Sequence, residues 1–259
     1  MPYNAADVRA RPRILRMLLG GPPKSGKTVA AVKTAPGPVF VFNTDGKGAL
    51  DPVVALGGEF TAADITDIDS YRREMSWFKI HSKEFATVVF DNITMFSGFV
   101  EAKYRKDPKT AENNFAFWTA YDGEMMQVFH ELRNLPHHLV IVGHINPGTG
   151  GKPGGFDHVL GVSGKSKTSI SALMQDWVWL NVENTEDGLV KREFLLAPQG
   201  NWTKGVRSIQ NTARMDANVT QFITLMQKGS IKTVPKTVVK PVVHQVPVTK
   251  TNNVKVNPS

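Results

Sequence analysis

The chain has 259 residues, 41% of them hydrophobic and 21% charged, which is enough for one large α/β domain with a proper core. It contains no cysteine, which excludes disulfide frameworks, cysteine zinc sites and thiol catalysis, and fits a reducing, cytoplasmic setting (a host cytoplasm if the chain is phage-encoded). The net charge of +8 suggests a polyanionic partner, but setting aside the six lysines of 228–259 leaves 25 basic residues against 23 acidic ones, so the body is nearly neutral.

Residues 1–12 read as a short polar arm. The apolar stretch after them is too short and too interrupted by Arg for a signal sequence. No run approaches the ~20 apolar residues of a membrane helix, so no membrane partner is expected. Residues 13–228 read as one domain in which apolar strands alternate with helical patterns, the signature of a mostly parallel sheet covered by helices on both faces.

The first strand, Arg13–Leu19, runs into Gly21-Pro22-Pro23-Lys24-Ser25-Gly26-Lys27-Thr28, which matches G-x-x-x-x-G-K-[ST] at every fixed position. Glycines let such a loop curl so that successive N–H groups point at a phosphate, and the helix that follows, Lys27–Thr34, adds its positive end. Lys27 is expected on the β- and γ-phosphate oxygens and the Thr28 hydroxyl on Mg²⁺. ATP and Mg²⁺ are therefore the predicted cofactors. The next strand, Pro38–Asn43, ends just before Asp45, whose carboxylate faces the γ-phosphate side and is the candidate base for an attacking water.

After a helix at Ile68–Lys79, the strand Thr87–Asp91 ends in an acid placed to hold the magnesium's water shell. Asn92 follows it where many ATPases carry a catalytic glutamate. Helices are predicted at Ile93–Arg105 and Phe115–Arg133. The strand His138–Gly143 then leads to His144, a candidate sensor of the γ-phosphate. His137, His138 and His144 lack the spacing of a metal set. Pro147 to Thr168 is a glycine-rich loop bearing Lys152, Lys165 and Lys167 against Asp157, with Phe156 as its one aromatic residue. A helix at Ser166–Met174 precedes two strands, Asp176–Val182 and Leu189–Ala197, whose connection ENTEDG makes them a late antiparallel hairpin. Residues 229–259 repeat Val, Pro, Lys and Thr without period and read as a disordered basic tail.

These parts together resemble the RecA-like ATPases from roughly Arg13 to Arg207. FNTDGKGALDP is similar to the recombinase segment that carries a catalytic glutamate, with Asp45 in its place; VVFDNIT and VIVGHIN resemble the class's next two strands. GPPKSGKT, IVGHI, Val162-Ser163-Gly164-Lys165, Asp176-Trp-Val-Trp-Leu180 and Lys204-Gly-Val-Arg207 resemble, more narrowly, the short phage-encoded RecA-like proteins of single-strand annealing and recombination. The resemblance implies a RecA-like core, ATP hydrolysis stimulated by DNA, and a homo-oligomeric ring or filament. It places single-stranded DNA on Lys152, Phe156, Lys165 and Lys167, and Lys204 and Arg207 against a neighbouring subunit's γ-phosphate. A single-strand-binding protein is a further candidate partner, through the tail. Two alternatives stay open: a monomeric P-loop kinase for a small molecule, and a non-hydrolysing nucleotide-dependent assembly factor.

Overall fold

The computed structural model describes residues 13–147, 158–196, 205–206, 208–209 and 212–228. The arm, the tail and the predicted contacts Lys152, Phe156, Lys204 and Arg207 lie outside the described residues. Among those described, no helix is long and apolar enough to cross a membrane.

At the centre of the sheet is β1 (Arg16–Gly21), flanked in parallel by β5 (His138–Pro147) and β7 (Asp176–Asn184). Beyond β5 come β4 (Thr87–Asp91), β2 (Val39–Asn43) and the edge strand β3 (Thr61–Asp64), all parallel. On the other side β8 (Val190–Leu195) runs antiparallel to β7 and β10 (Arg214–Asp216) antiparallel to β8. Two short strands complete the sheet: β6 (His158–Leu160) pairs with the far end of β5, and β9 (Gly205–Val206) with β7. The architecture is the expected α/β one, with its late antiparallel hairpin.

Why these strands are central follows from their side chains. Phe40, Phe42, Val88, Phe90, Leu139 and Ile141 point into one core, and their neighbours Val39, Val41, Val89, Val140 and Val142 into another. A two-residue period in which both phases are apolar demands cover on both faces. One face is covered by α3 (Ile68–His81), α4 (Ile93–Lys106) and α6 (Asn114–Arg133), through Tyr71, Phe78, Phe96, Tyr121 and Phe129. The other is covered by α1 (Lys27–Lys33), α2 (Asp51–Ala55) and α8 (Val219–Lys228), through Ala31, Val32, Val53 and Phe222. Each of the larger of these side chains removed from water is worth roughly 1.5–3 kcal/mol. The remaining helices are the single turn α5 (Pro108–Ala111) and α7 (Ser166–Leu173).

Helix starts are set locally. Asp67 and Ser70 form a capping box at α3, Asn92 caps α4 through the Met95 N–H at 2.7 Å, and Asn113 caps α6. Because β1, β2, β4 and β5 are parallel, their carboxyl ends share one edge of the sheet. The segments leaving those ends are 21–28, 44–45, 91–92 and 144–146.

Candidate functional site

Between β1 and α1 the chain makes the tight loop that the motif requires. Lys24 and Gly26 both adopt left-handed φ, 60° and 93°. At position 26 the left-handed φ disfavours a side chain, and a Cβ would also lie 2.9 Å from Arg192 Nε, so that the arginine would have to move. Lys27 is 5% exposed and folds back on its own loop, donating from Nζ to the carbonyls of Gly21 (3.1 Å) and Pro22 (2.7 Å). Burial lowers its pKa, while Asp91 and Asp45 pull it back up. A lysine held by two weak acceptors in an acidic setting is poised to exchange them for phosphate oxygens.

Asp91, at the end of β4, is fully buried. Neither of its oxygens closes a hydrogen bond of good geometry, although the Thr28 hydroxyl is near enough to stabilise the anion. Burial pushes the carboxyl up to about 6, with Asp45 adding to the rise and Thr28 and Lys27 opposing it. An orphaned carboxylate beside a hydroxyl at a phosphate loop fits Mg²⁺, which takes one or two protein oxygens and completes its shell with water and phosphate. Among the described residues no group of three or more His, Asp or Glu gathers that could hold a metal on its own.

The segment after Asp91 is held by a small network. The Thr44 hydroxyl accepts from the Asn92 N–H (2.7 Å) and donates to the Asn92 carbonyl (2.8 Å), and the Thr44 N–H donates to the Asp91 carbonyl (2.6 Å). The Asp91–Asn92 peptide is cis. Asn92 Oδ1 is committed to the α4 cap, so its Nδ2 faces the pocket and donates to Asp45 Oδ1 at 2.5 Å. His144 Nε2 lies 3.5 Å from the same Nδ2 and must therefore act as the acceptor. Burial and Lys27 lower the His144 pKa against the opposing pull of Asp45, which favours the neutral ring. Asp45, Asn92 and His144 thus form a row of acid, amide and imidazole. Sequence reasoning noticed Asn92 only as a missing glutamate; its signal was the capping position before the apolar run ITMF.

One pocket of about 720 Å³ joins these groups, a size suited to a nucleotide. Lys24, Gly26, Lys27, Thr28, Asp45, Asp91 and His144 all line it. Arg192, Asp216, Asn218 and Gln221 do too, and sequence reasoning singled out none of these four. Lys165 and Lys167 are exposed at the start of α7, away from this lining. The segment before α7 is anchored to α6 by Ser163 N–H to the Tyr121 hydroxyl (3.1 Å) and the Ser166 hydroxyl to Asp122 (2.7 Å).

The raised Asp91 pKa fixes the sign of two pH effects. Without nucleotide, ionising this buried acid costs the folded state, so stability falls as pH rises from the ordinary 3.8 to about 6. Mg²⁺-dependent nucleotide binding needs the anion, so affinity should drop about tenfold per pH unit below 6. Titrations of ATP–Mg²⁺ between pH 5 and 8 check this. Asp91→Asn should bind weakly and without that slope, whereas a flat wild-type profile would remove Asp91 from the cation site.

Comparison with known proteins adds one finding. The profile of a family described as AAA domain matches residues 13–178, from the residues before β1 into β7. Among curated proteins none matches the chain.

Proposed function

The chain belongs to the AAA-domain family of P-loop ATPases, and from that premise we propose that it hydrolyses ATP and uses the cycle to grip single-stranded DNA as a homo-oligomer, in recombination or annealing. Lys27 leaves the Gly21 and Pro22 carbonyls for the β- and γ-phosphate oxygens. When bound at Thr28 and Asp91, Mg²⁺ supplies neutralisation of charge developing on those oxygens. Asp45, oriented by Asn92, takes the proton of the water that attacks the γ-phosphorus, and ADP carries away the electrons of the broken P–O bond. His144 reads the γ-phosphate through the same amide.

One strand carries the DNA part of the reading. β5 does not stop at the nucleotide; it passes through His144 and continues to Pro147, pairing there with β6. The His144 carbonyl accepts the Gly161 N–H at 2.9 Å, so segment 147–161 returns to the residue that lies three positions before its start on β5. A shift at His144 on γ-phosphate binding moves both ends together. That segment carries Lys152 and Phe156, and Lys165 and Lys167 follow directly, cations suited to backbone phosphates and an aromatic suited to a base.

Gel-shift titration of single-stranded DNA with and without ATP tests this. ATP should tighten binding, and alanines at 152, 165 and 167 should collapse the ratio of the two affinities toward one. Deleting 229–259 should lower both affinities and keep their ratio, because a tail without mechanical connection to His144 gives only salt-dependent attraction, with a slope of ~0.7 per neutralised phosphate. ATP turnover without any acceptor separates this reading from a small-molecule kinase. No DNA binding in either state would end it.

A further inference from the structure

Arg192 has no place in the scheme above. It stands on β8, beyond the stretch matched by the AAA-domain profile. Unlike Arg72, Arg105 and Arg214, each of which meets a carboxylate, it has no acidic partner among the described residues. Its Nε donates to the carbonyl of Ser25 at 3.1 Å, and among the described residues neither of its Nη groups has a partner. Its own carbonyl accepts the Ala217 N–H at 3.2 Å. The residue therefore bridges the phosphate loop and the 216–221 wall of the same pocket, with the working end of its guanidinium left over.

The sheet order says which end of a nucleotide would meet it. From β1, the strands β5, β4 and β2 lie to one side and bring His144, Asp91 and Asp45, the groups suited to cation and water. To the other side lie β7, β8 and β10, which bring Arg192 and Asp216. A nucleotide whose γ-phosphate meets Asp45 and His144 must extend its α-phosphate and nucleoside toward β8. A free guanidinium fork is the donor best matched to phosphate oxygens.

We propose that Arg192 is an in-chain contact for the α-phosphate end of the bound nucleotide, made equally to the triphosphate and the diphosphate. The proposal rests on the ATP-site reading, and the two can fail separately. Fluorescent ATP and ADP analogues are titrated into the full-length wild type, Lys27→Ala, Arg192→Ala and Arg192→Lys. Wild type and Lys27→Ala binding equally poorly would sink the site reading itself. With that reading intact, Arg192→Ala should weaken both nucleotides by about 10- to 100-fold, as loss of charge-assisted hydrogen bonds does. Its kcat at saturating ATP should stay within about twofold of wild type. Arg192→Lys, which keeps the charge and loses the fork, should recover part of the affinity.

Loss for ATP alone, or a fall in kcat, would place the guanidinium at the γ-phosphate and overturn the assignment. Unchanged affinities would reduce Arg192 to a support for the Ser25 carbonyl. A melting temperature measured without nucleotide shows that lost affinity does not come from a weakened fold, because loss of a bridge at one exposed residue should move it little. If Arg192→Ala does not fold, Arg192→Gln gives the same comparison with a near-isosteric neutral side chain.

Discussion

Lys27→Ala should lose ATP affinity by on the order of 10² to 10⁴ while the apo fold stays intact. The side chain makes two charge-assisted bonds, now to the carbonyls of Gly21 and Pro22 and, with nucleotide present, to phosphate oxygens. What the variant loses is the gain from exchanging two neutral carbonyl acceptors for charged phosphate oxygens, roughly 1.5–3 kcal/mol at each contact, and two contacts account for that range. The fold should tolerate the change because Lys27 is a desolvated cation whose pKa burial has already lowered, so its charge is not what holds α1 in place. Pro22 is exposed, so its carbonyl can turn to water. One electrostatic consequence is specific: Asp91 loses the cation that opposes its burial, so its carboxyl should titrate above the present value of about 6. Calorimetric titration with ATP–Mg²⁺, with circular dichroism to check the fold, reads the result. Wild-type affinity in this variant would remove the phosphate loop from the nucleotide site.

What could be read in advance divides along physical lines. The strands β1, β2, β4 and β5 were legible because burial on both faces makes every position apolar, as in Val39-Phe40-Val41-Phe42. Helices α3, α4 and α6 were legible to within about two residues from their apolar period. β3 was not, because Thr61–Asp64 lies largely exposed at the sheet edge and has no apolar phase to show. β6 has only three residues, too few to carry a pattern, so the strand from His138 looked finished at Gly143 when pairing extends it to Pro147. Helix α8 did leave a signal, with Val219, Phe222, Ile223 and Met226 at helical spacing behind the cap Asn218. Its position could not be read, since it depends on Thr34 at the end of α1, which accepts the Val219 N–H at 2.8 Å across 185 residues of sequence. The same limit hid Arg192 and Asn92. Each is ordinary in its local sequence and acquires meaning only from the neighbours that the sheet order brings to it.

Asp45→Asn should keep ATP bound and slow its hydrolysis by about 10²-fold or more, the usual scale of general-base assistance. The substitution conserves shape and removes only the capacity to take a proton. It should not loosen nucleotide, because the phosphate contacts belong to the loop and to Lys27, and removing one of two neighbouring anions eases the burial of Asp91. The surrounding contacts also define a control that separates chemistry from architecture. Asn92 does two jobs at once, capping α4 through Oδ1 and presenting Nδ2 to Asp45 and His144. Asn92→Ala removes both and should cost about 1 kcal/mol of stability from the lost cap alone. Asn92→Asp keeps a good cap, deletes the donor and sets a second carboxylate against Asp45. If Asp45 is the base and Asn92 its positioner, Asn92→Asp should remain folded and hydrolyse slowly, with kcat reduced more than affinity. Single-turnover hydrolysis measured beside nucleotide affinity distinguishes the cases. Wild-type hydrolysis in Asp45→Asn would put the base elsewhere and leave the row of Asp45, Asn92 and His144 as a scaffold for the loop that follows β5.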